Sequence, residues 1–153
     1  MEPNGYETVV RSAAEADAAD IEGLMRKYLH FYGKEEPAEG AIAGLIRHLL
    51  EHPDHGLQFV AQRGGETVGF ATLYFTFSTL QLKRAAILND LFVAGHARRE
   101  GVGEKLFRTC LAYIRERDFA YMQWETGPDN GTAQSLYAKM GGERSESICY
   151  TIA

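Results

Sequence analysis

The chain has 153 residues and a mass of 17.0 kDa, with 45% hydrophobic and 24% charged residues, the size and composition of one globular domain spanning residues 1–153. Sixteen Lys and Arg against twenty-one Asp and Glu give a formal charge of -5, which argues against a nucleic-acid partner, because a phosphate backbone is gripped by a basic face that displaces counterions. No apolar run approaches the ~20 residues of a membrane-spanning helix, so no membrane partner is expected.

In chain order, the opening MEPNGYETVV lacks the basic head and apolar stretch of a secretory signal. Residues 6–11 read as a short strand. Ser12 and Glu15 stand at capping-box spacing, where each side chain could satisfy an orphan backbone donor. Ile21, Leu24, Met25, Tyr28, Leu29 and Tyr32 then recur at helical steps, with Gly33 as a stop. Ile42, Leu45, Ile46 and Leu49 predict a second helix ending before Pro53. Residues 57–62 and 66–77 alternate across Gly64-Gly65 as a hairpin. Residues 85–93 are almost continuously apolar, as a central strand covered on both faces would be. A helix follows from Val102 through Leu106, Phe107, Cys110, Leu111 and Ile114, then a strand over 119–125. Ala133, Leu136, Tyr137 and Met140 mark a short helix, and 147–152 a last strand. The order β-α-α-β-β-β-α-β-α-β predicts an α/β fold, a mixed and mostly antiparallel sheet flanked by four helices. Cys110 and Cys149 make neither a disulfide framework nor a metal spacing, so a reducing, cytoplasmic setting is expected.

Residues 88–106, LNDLFVAGHARREGVGEKL, carry the chemistry. A buried strand runs into a loop holding Arg98, Arg99, Gly101 and Gly103, and a helix begins at once. Glycines let backbone approach a ligand closely, while first-turn N–H groups and the helix dipole favour an anion. The arginines add charge-assisted donors. This is a pyrophosphate cradle in physical terms; the plain alternative is a strand-to-helix turn with solvated arginines. A P-loop requires Gly-Lys-Ser/Thr, whereas Glu104 and Lys105 follow Gly103. A dinucleotide fingerprint requires a third glycine where Leu106 stands.

Residues 130–142, NGTAQSLYAKMGG, place Asn130 at a helix start and Tyr137 about two turns in. An N-cap asparagine and a core tyrosine would explain them alone. Together, however, Arg98-x-x-Gly101-x-Gly103 and Asn130-x-x-Ala133-x-x-Leu136-Tyr137-x-x-x-Gly141 resemble the paired signatures of the GNAT acetyltransferase superfamily. The opening Val10-Arg11-x-Ala13-x-x-x-Asp17 is similar to that family's first strand and helix. Tyr74-Phe75-Thr76-Phe77, residues 88–93 and Trp124-Glu125-Thr126 look closest to its diamine/polyamine and yeast histone/polyamine branch. Asn89 stands where that branch carries Glu, Arg99 where many relatives carry Gly, and Gly95 where many carry Pro.

The resemblance implies an N-acetyltransferase that uses acetyl-CoA as co-substrate and needs no metal. Leu91 and Val93 would pair their backbone with the pantetheine arm, and Leu91 or Phe92 would supply an oxyanion donor. The cradle of Arg98, Arg99, Gly101, Val102 and Gly103 would hold the pyrophosphate, with Glu100 turned to solvent. Asn130 would bond the pantetheine amide, and Tyr137 would act as general acid. The base stays open among Asp90, Glu125 and water, because strict alternation sends Asp90 to the wrong sheet face unless a bulge intervenes.

The acceptor is expected to be a small primary amine such as a polyamine, amino acid or amino sugar, taken between the first two helices and the central strands. Tyr32, Asn89 and Glu125 are its candidate contacts. Tyr28, Phe31, Tyr32, Glu35 and Glu36 read either as an aromatic and acidic mouth or as core stripe and solvated loop. The alternatives are a protein lysine or N-terminus as acceptor, and a non-catalytic acyl-CoA-binding regulatory domain. The resemblance also implies a homodimer, through the C-terminal strand and the sheet edge. His30, His48, His52, His55 and His96 read as surface residues, since only His48 and His52 share a helix face.

Overall fold

The computed structural model of the chain describes residues 7–153, so Tyr6, where the first strand was expected to begin, lies outside the described residues. One sheet runs β1 (Thr8–Ser12), β2 (Gly56–Arg63), β3 (Glu66–Ser78), β4 (Lys83–Val93) and β5 (Met122–Gln123). Every pairing is antiparallel except β4 with β5. Helices α1 (Ala18–Phe31), α2 (Ala41–Glu51), α3 (Val102–Glu116) and α4 (Gly131–Lys139) complete the expected mixed α/β architecture.

Alternation along the central strands builds two cores. Phe59, Ala61, Ala71 and Leu73 face α3, whose stripe of Val102, Leu106, Phe107, Cys110 and Ile114 is buried against them. Val60, Phe70 and Phe92 face the opposite way, onto Ile21 and Leu24 of α1 and Ile42 and Ile46 of α2. Residue 69 shows how close α3 lies: a Cβ there would stand 2.9 Å from the Phe92 carbonyl and 3.2 Å from Leu106, so only glycine fits. Among the described residues, no helix is long and apolar enough to cross a membrane.

Three expectations are corrected. The Ser12–Glu15 capping box does not form. Ser12 stays in β1, and the chain enters α1 through a 3₁₀ turn at Glu15–Asp17. There the Asp17 carboxylate accepts from the Ala14 N–H at 2.7 Å and from Arg11 Nη1 and Nη2 at 2.7 and 2.9 Å. A charged acceptor gripped by a guanidinium fork outcompetes a hydroxyl cap, and the same grip holds the Asp17 carboxyl below the usual carboxylate range.

The strand expected over 119–125 shrinks to Met122–Gln123, paired only through Ala86↔Met122 and Ile87↔Gln123. Residues 147–152 form no strand at all. Their alternating Ile148, Tyr150 and Ile152 are 78, 88 and 99% exposed. A strand is made by a partner edge, and β5 offers only two residues of one.

Candidate active site

The register between β3 and β4 slips once: Leu73 pairs with Leu88, but Thr72 pairs with Asp90. Asn89 is therefore an extra residue, a β-bulge that reverses the facing of everything after it. Ala86 and Leu88 pack toward α3; beyond the bulge Leu91 and Val93 do so, while Asp90 and Phe92 turn toward α1. Main-chain groups reverse with the side chains. Before the bulge, Ala86 N–H donates to the Tyr121 carbonyl of the β5 side (3.0 Å); after it, Ala94 N–H donates to Val68 of β3 (2.8 Å). By alternation Phe92 also spends its amide on β3, and the backbone groups of Leu91 and Val93 face the edge that β5 has left. Leu91, not Phe92, is thus the residue with an amide directed into the opening.

At the end of that edge stands the cradle. Gly101 caps α3 in the left-handed region (φ 81°), and Arg99 lies there too (φ 65°), a conformation unusual for a residue with a side chain. The two residues bend the loop so that it enters α3 with the first-turn N–H groups of Val102, Gly103 and Glu104 at the mouth. Gly103 keeps its surface low beside Val93, where an added Cβ would make ordinary contact at 3.7 Å. Glu100 is drawn aside by an ion pair with Arg63. Arg98 Nε donates to the Val93 carbonyl at 2.9 Å, and its guanidinium covers the Phe31 and Phe92 rings at 5.2 and 5.4 Å. The Arg98 side chain thus closes the far end of the edge, leaving Arg99 exposed.

Across the opening, Asn130 caps α4, its Oδ1 accepting from Ala133 N–H at 3.1 Å. The cap leaves Nδ2 as a spare donor. Tyr137 packs its ring obliquely against Phe107 and edge-on against Trp124, at 5.5 and 5.3 Å between centroids. Its hydroxyl makes no hydrogen bond among the described residues. Burial, with a smaller push from Tyr32, holds that hydroxyl's ionisation above the ordinary tyrosine value, so it carries its proton at neutral pH.

On the α1 side the bulge sets Asp90, only 8% exposed, behind an aromatic cluster. Tyr28 packs on Tyr32, Phe92 and Phe70 with centroids 4.9, 5.8 and 6.0 Å apart, and Phe31 packs on Tyr32 at 5.3 Å. Burial and then the Asp90 charge push the Tyr28 and Tyr74 hydroxyls above the ordinary tyrosine value. Asn89 Nδ2 donates to Asp90 Oδ1 at 3.1 Å. Glu125 lies exposed in the segment after β5, and Glu36 is taken up by an ion pair with Arg26. In the sequence Tyr74 enters only through the Tyr74-Phe75-Thr76-Phe77 resemblance and is given no place in the site, being one aromatic residue in a strand full of them.

A cleft of about 610 Å³ lies beside β5, lined by Trp124, Gln134, Tyr137 and Arg144 among others; it meets the site at Tyr137, and none of the cradle residues borders it.

The acetyltransferase (GNAT) family profile matches residues 21–142. The chain is 37% identical over 141 residues to the Uncharacterized N-acetyltransferase YhfO of Bacillus subtilis (strain 168), covering 92% of this chain and 93% of the relative. Over 86 residues it is 32% identical to the D-amino-acid N-acetyltransferase HPA3 of Saccharomyces cerevisiae, covering 56% of this chain and 53% of that protein. The crystal structure of a probable acetyltransferase superposes with a TM-score of 0.85 at 31% identity, covering 95% of this chain and 97% of the other. A split strand edge, a left-handed glycine at a helix start and these likenesses agree, and the chain belongs to the GNAT family of N-acetyltransferases.

Proposed function

We propose that the protein transfers the acetyl group of acetyl-CoA directly to a primary amine of a small molecule within a ternary complex. One observation carries this reading: the bulge at Asn89 aims the Leu91 amide into the open edge and the Asp90 carboxylate into the aromatic pocket on the other face.

The residues present suit acetyl-CoA, which supplies an activated thioester when bound. Leu91, and Val93 through its N–H since Arg98 holds its carbonyl, offer backbone partners for an extended amide chain. The α3 amides and Arg99 offer donors for a pyrophosphate. Asn130 Nδ2 offers a donor for an amide carbonyl. The Leu91 N–H is fixed in place before reaction, so it stabilises negative charge developing on the acyl oxygen without reorganisation. Asp90 receives the proton that the acceptor ammonium must lose. Tyr137 gives its proton to the departing sulfur, and the second proton, shed by the nitrogen as the amide forms, restores Tyr137 through solvent. Tyr28, Phe31 and Tyr32 present ring faces and edges to a cationic acceptor, with Asp90 behind them to draw it in. Cation attraction over a narrow aromatic mouth favours a slim amine, and the amino-acid acceptor in the name of the yeast relative is of that kind.

Calorimetric titration with acetyl-CoA, combined with thiol release across polyamines, amino acids, amino sugars and basic peptides, tests the reading. Saturable binding with release from one acceptor class supports it; binding without release from any would sink the transfer mechanism. In the same titration, Gly101→Val is expected to weaken binding by roughly tenfold or more, because a β-branched residue resists φ 81° at the cradle. Its Cβ meets nothing within 4 Å, so the fold should survive. Unchanged affinity would remove the cradle from the site.

The acting species is a homodimer in this proposal. The cleft beside β5 stands where a further strand would lie, and residues 147–152 carry alternating apolar side chains without a sheet partner. A second copy supplies both halves of that missing pairing. Light scattering is expected to give a dimer mass, and a monomer mass when the chain is ended at Glu146. A monomeric full chain would refute it.

A further inference from the structure

The turn after α2 brings together three imidazoles that the sequence leaves apart. His48 and His52 lie one helical turn apart at the C-terminal end of α2, and His55 folds back on them as β2 is about to begin. Ring centroids are 4.3 Å apart for His48 and His52, and 5.0 Å for each with His55. His48 Nε2 and His55 Nδ1 stand 2.9 Å apart, and one ligand atom from each of the three lies within 4.8 Å of the others. Nitrogens about 2.0–2.1 Å from one tetrahedral ion stand roughly 3.4 Å apart, so rotation of the stacked rings, which releases the His48–His55 hydrogen bond, would bring all three onto a shared ion.

We propose that His48, His52 and His55 form a binding site for a divalent transition-metal ion of borderline softness, with zinc as the representative. Three features beyond proximity support it. The non-ligating nitrogen of His52 is already directed to an oxygen, Nδ1 lying 2.9 Å from the His48 carbonyl, and the Asp54 carboxylate stands 4.0 Å from His55 Nε2, close enough to attract a cation but not to hydrogen-bond. The His48 carbonyl fixes the His52 tautomer and leaves its inner nitrogen free for a metal. The backbone is pinned as well, with His52 N–H on His48, His55 N–H on His52 and Phe75 N–H on the His55 carbonyl. Finally, the site sits at a helix C-terminus, where the dipole favours positive charge.

The donor set selects the ion. Imidazole nitrogen suits zinc, cobalt, nickel or copper, and magnesium and calcium prefer oxygen. Three protein ligands leave a fourth position for water or an exogenous group. The site lies away from the acetyl-transfer opening, at the edge where α2 hands the chain to β2. It ties that turn to β3 through the bond from Phe75, the neighbour of Tyr74. The expectation of surface histidines without a metal role is therefore revised for these three.

Titration of the tag-free protein with ZnCl₂ by calorimetry tests the site, with long-range ¹H–¹⁵N spectra of the imidazoles recorded alongside. One equivalent is expected to bind, shifting the ring nitrogens of three histidines, and MgCl₂ should give no saturable heat. His48→Asn and His55→Asn should each weaken zinc binding by roughly a hundredfold, while His30→Asn, outside the cluster, and Cys149→Ser, which removes an exposed thiol, should leave it unchanged. Absence of saturable binding overturns the proposal. So does binding that persists in His55→Asn, or that disappears in Cys149→Ser.

Discussion

Asp90→Asn is expected to lower kcat at saturating acceptor and pH 7 by roughly a hundredfold, with the loss shrinking as pH rises toward the acceptor's own pKa. A simple alkylammonium, with a pKa of about 10.4, is neutral in roughly one molecule in 2,500 at pH 7. Attack therefore requires a group that takes the proton inside the complex. Asp90 is placed for this by the bulge, buried against Tyr28 and Tyr74 on the face where α1 leaves an aromatic mouth. Asparagine keeps the shape and an acceptor oxygen toward Tyr28 but binds no proton. At pH 9 to 10 solvent does that work, so variant and wild type converge. A carboxylate that only attracted the cation would instead show a raised KM with kcat intact. Wild-type kcat in the variant at pH 7 would pass the role to water or to Glu125.

The position of Asp90 also marks the limit of what one strand reveals. Residues 85–93 are legible as a central strand from their apolar run, and alternation then puts Asp90 on the wrong side. The bulge is a property of the β3–β4 pairing, visible only when Thr72 and Leu73 are set against Asp90 and Leu88. The helices were readable because their apolar stripes are local. The cradle was readable because glycine and arginine at a strand-to-helix junction have a direct physical meaning. Residues 147–152 have the right alternation for a strand and still form none, since pairing depends on an edge elsewhere. His55 shows the same dependence in the other direction, gaining its neighbours from a turn that no periodicity encodes.

Tyr137→Phe is expected to lower kcat by roughly a hundredfold or more while changing the acetyl-CoA dissociation constant less than about threefold. The ring is held by Phe107 and Trp124 in the α3 core, and phenylalanine keeps those contacts. Only the hydroxyl is lost, and it makes no hydrogen bond among the described residues that its removal would strand. Burial raises Tyr137 above the ordinary tyrosine value, which alone would make it a reluctant donor to a thiolate of pKa about 8.5. A sulfur departing beside the part-buried Tyr137 would share that desolvation, which raises a thiol as well. Cys110, on the inner face of α3, shows the direction: burial, against a smaller lowering by a backbone hydrogen bond, pushes it up to about 12. Where donor and departing sulfur are desolvated together, the two shifts run in the same direction and proton transfer between them is retained. A rate unchanged in the variant would leave Tyr137 as core packing and put the leaving thiolate's proton on solvent. A fall in kcat matched by an equal loss of acetyl-CoA affinity would make the hydroxyl a binding contact.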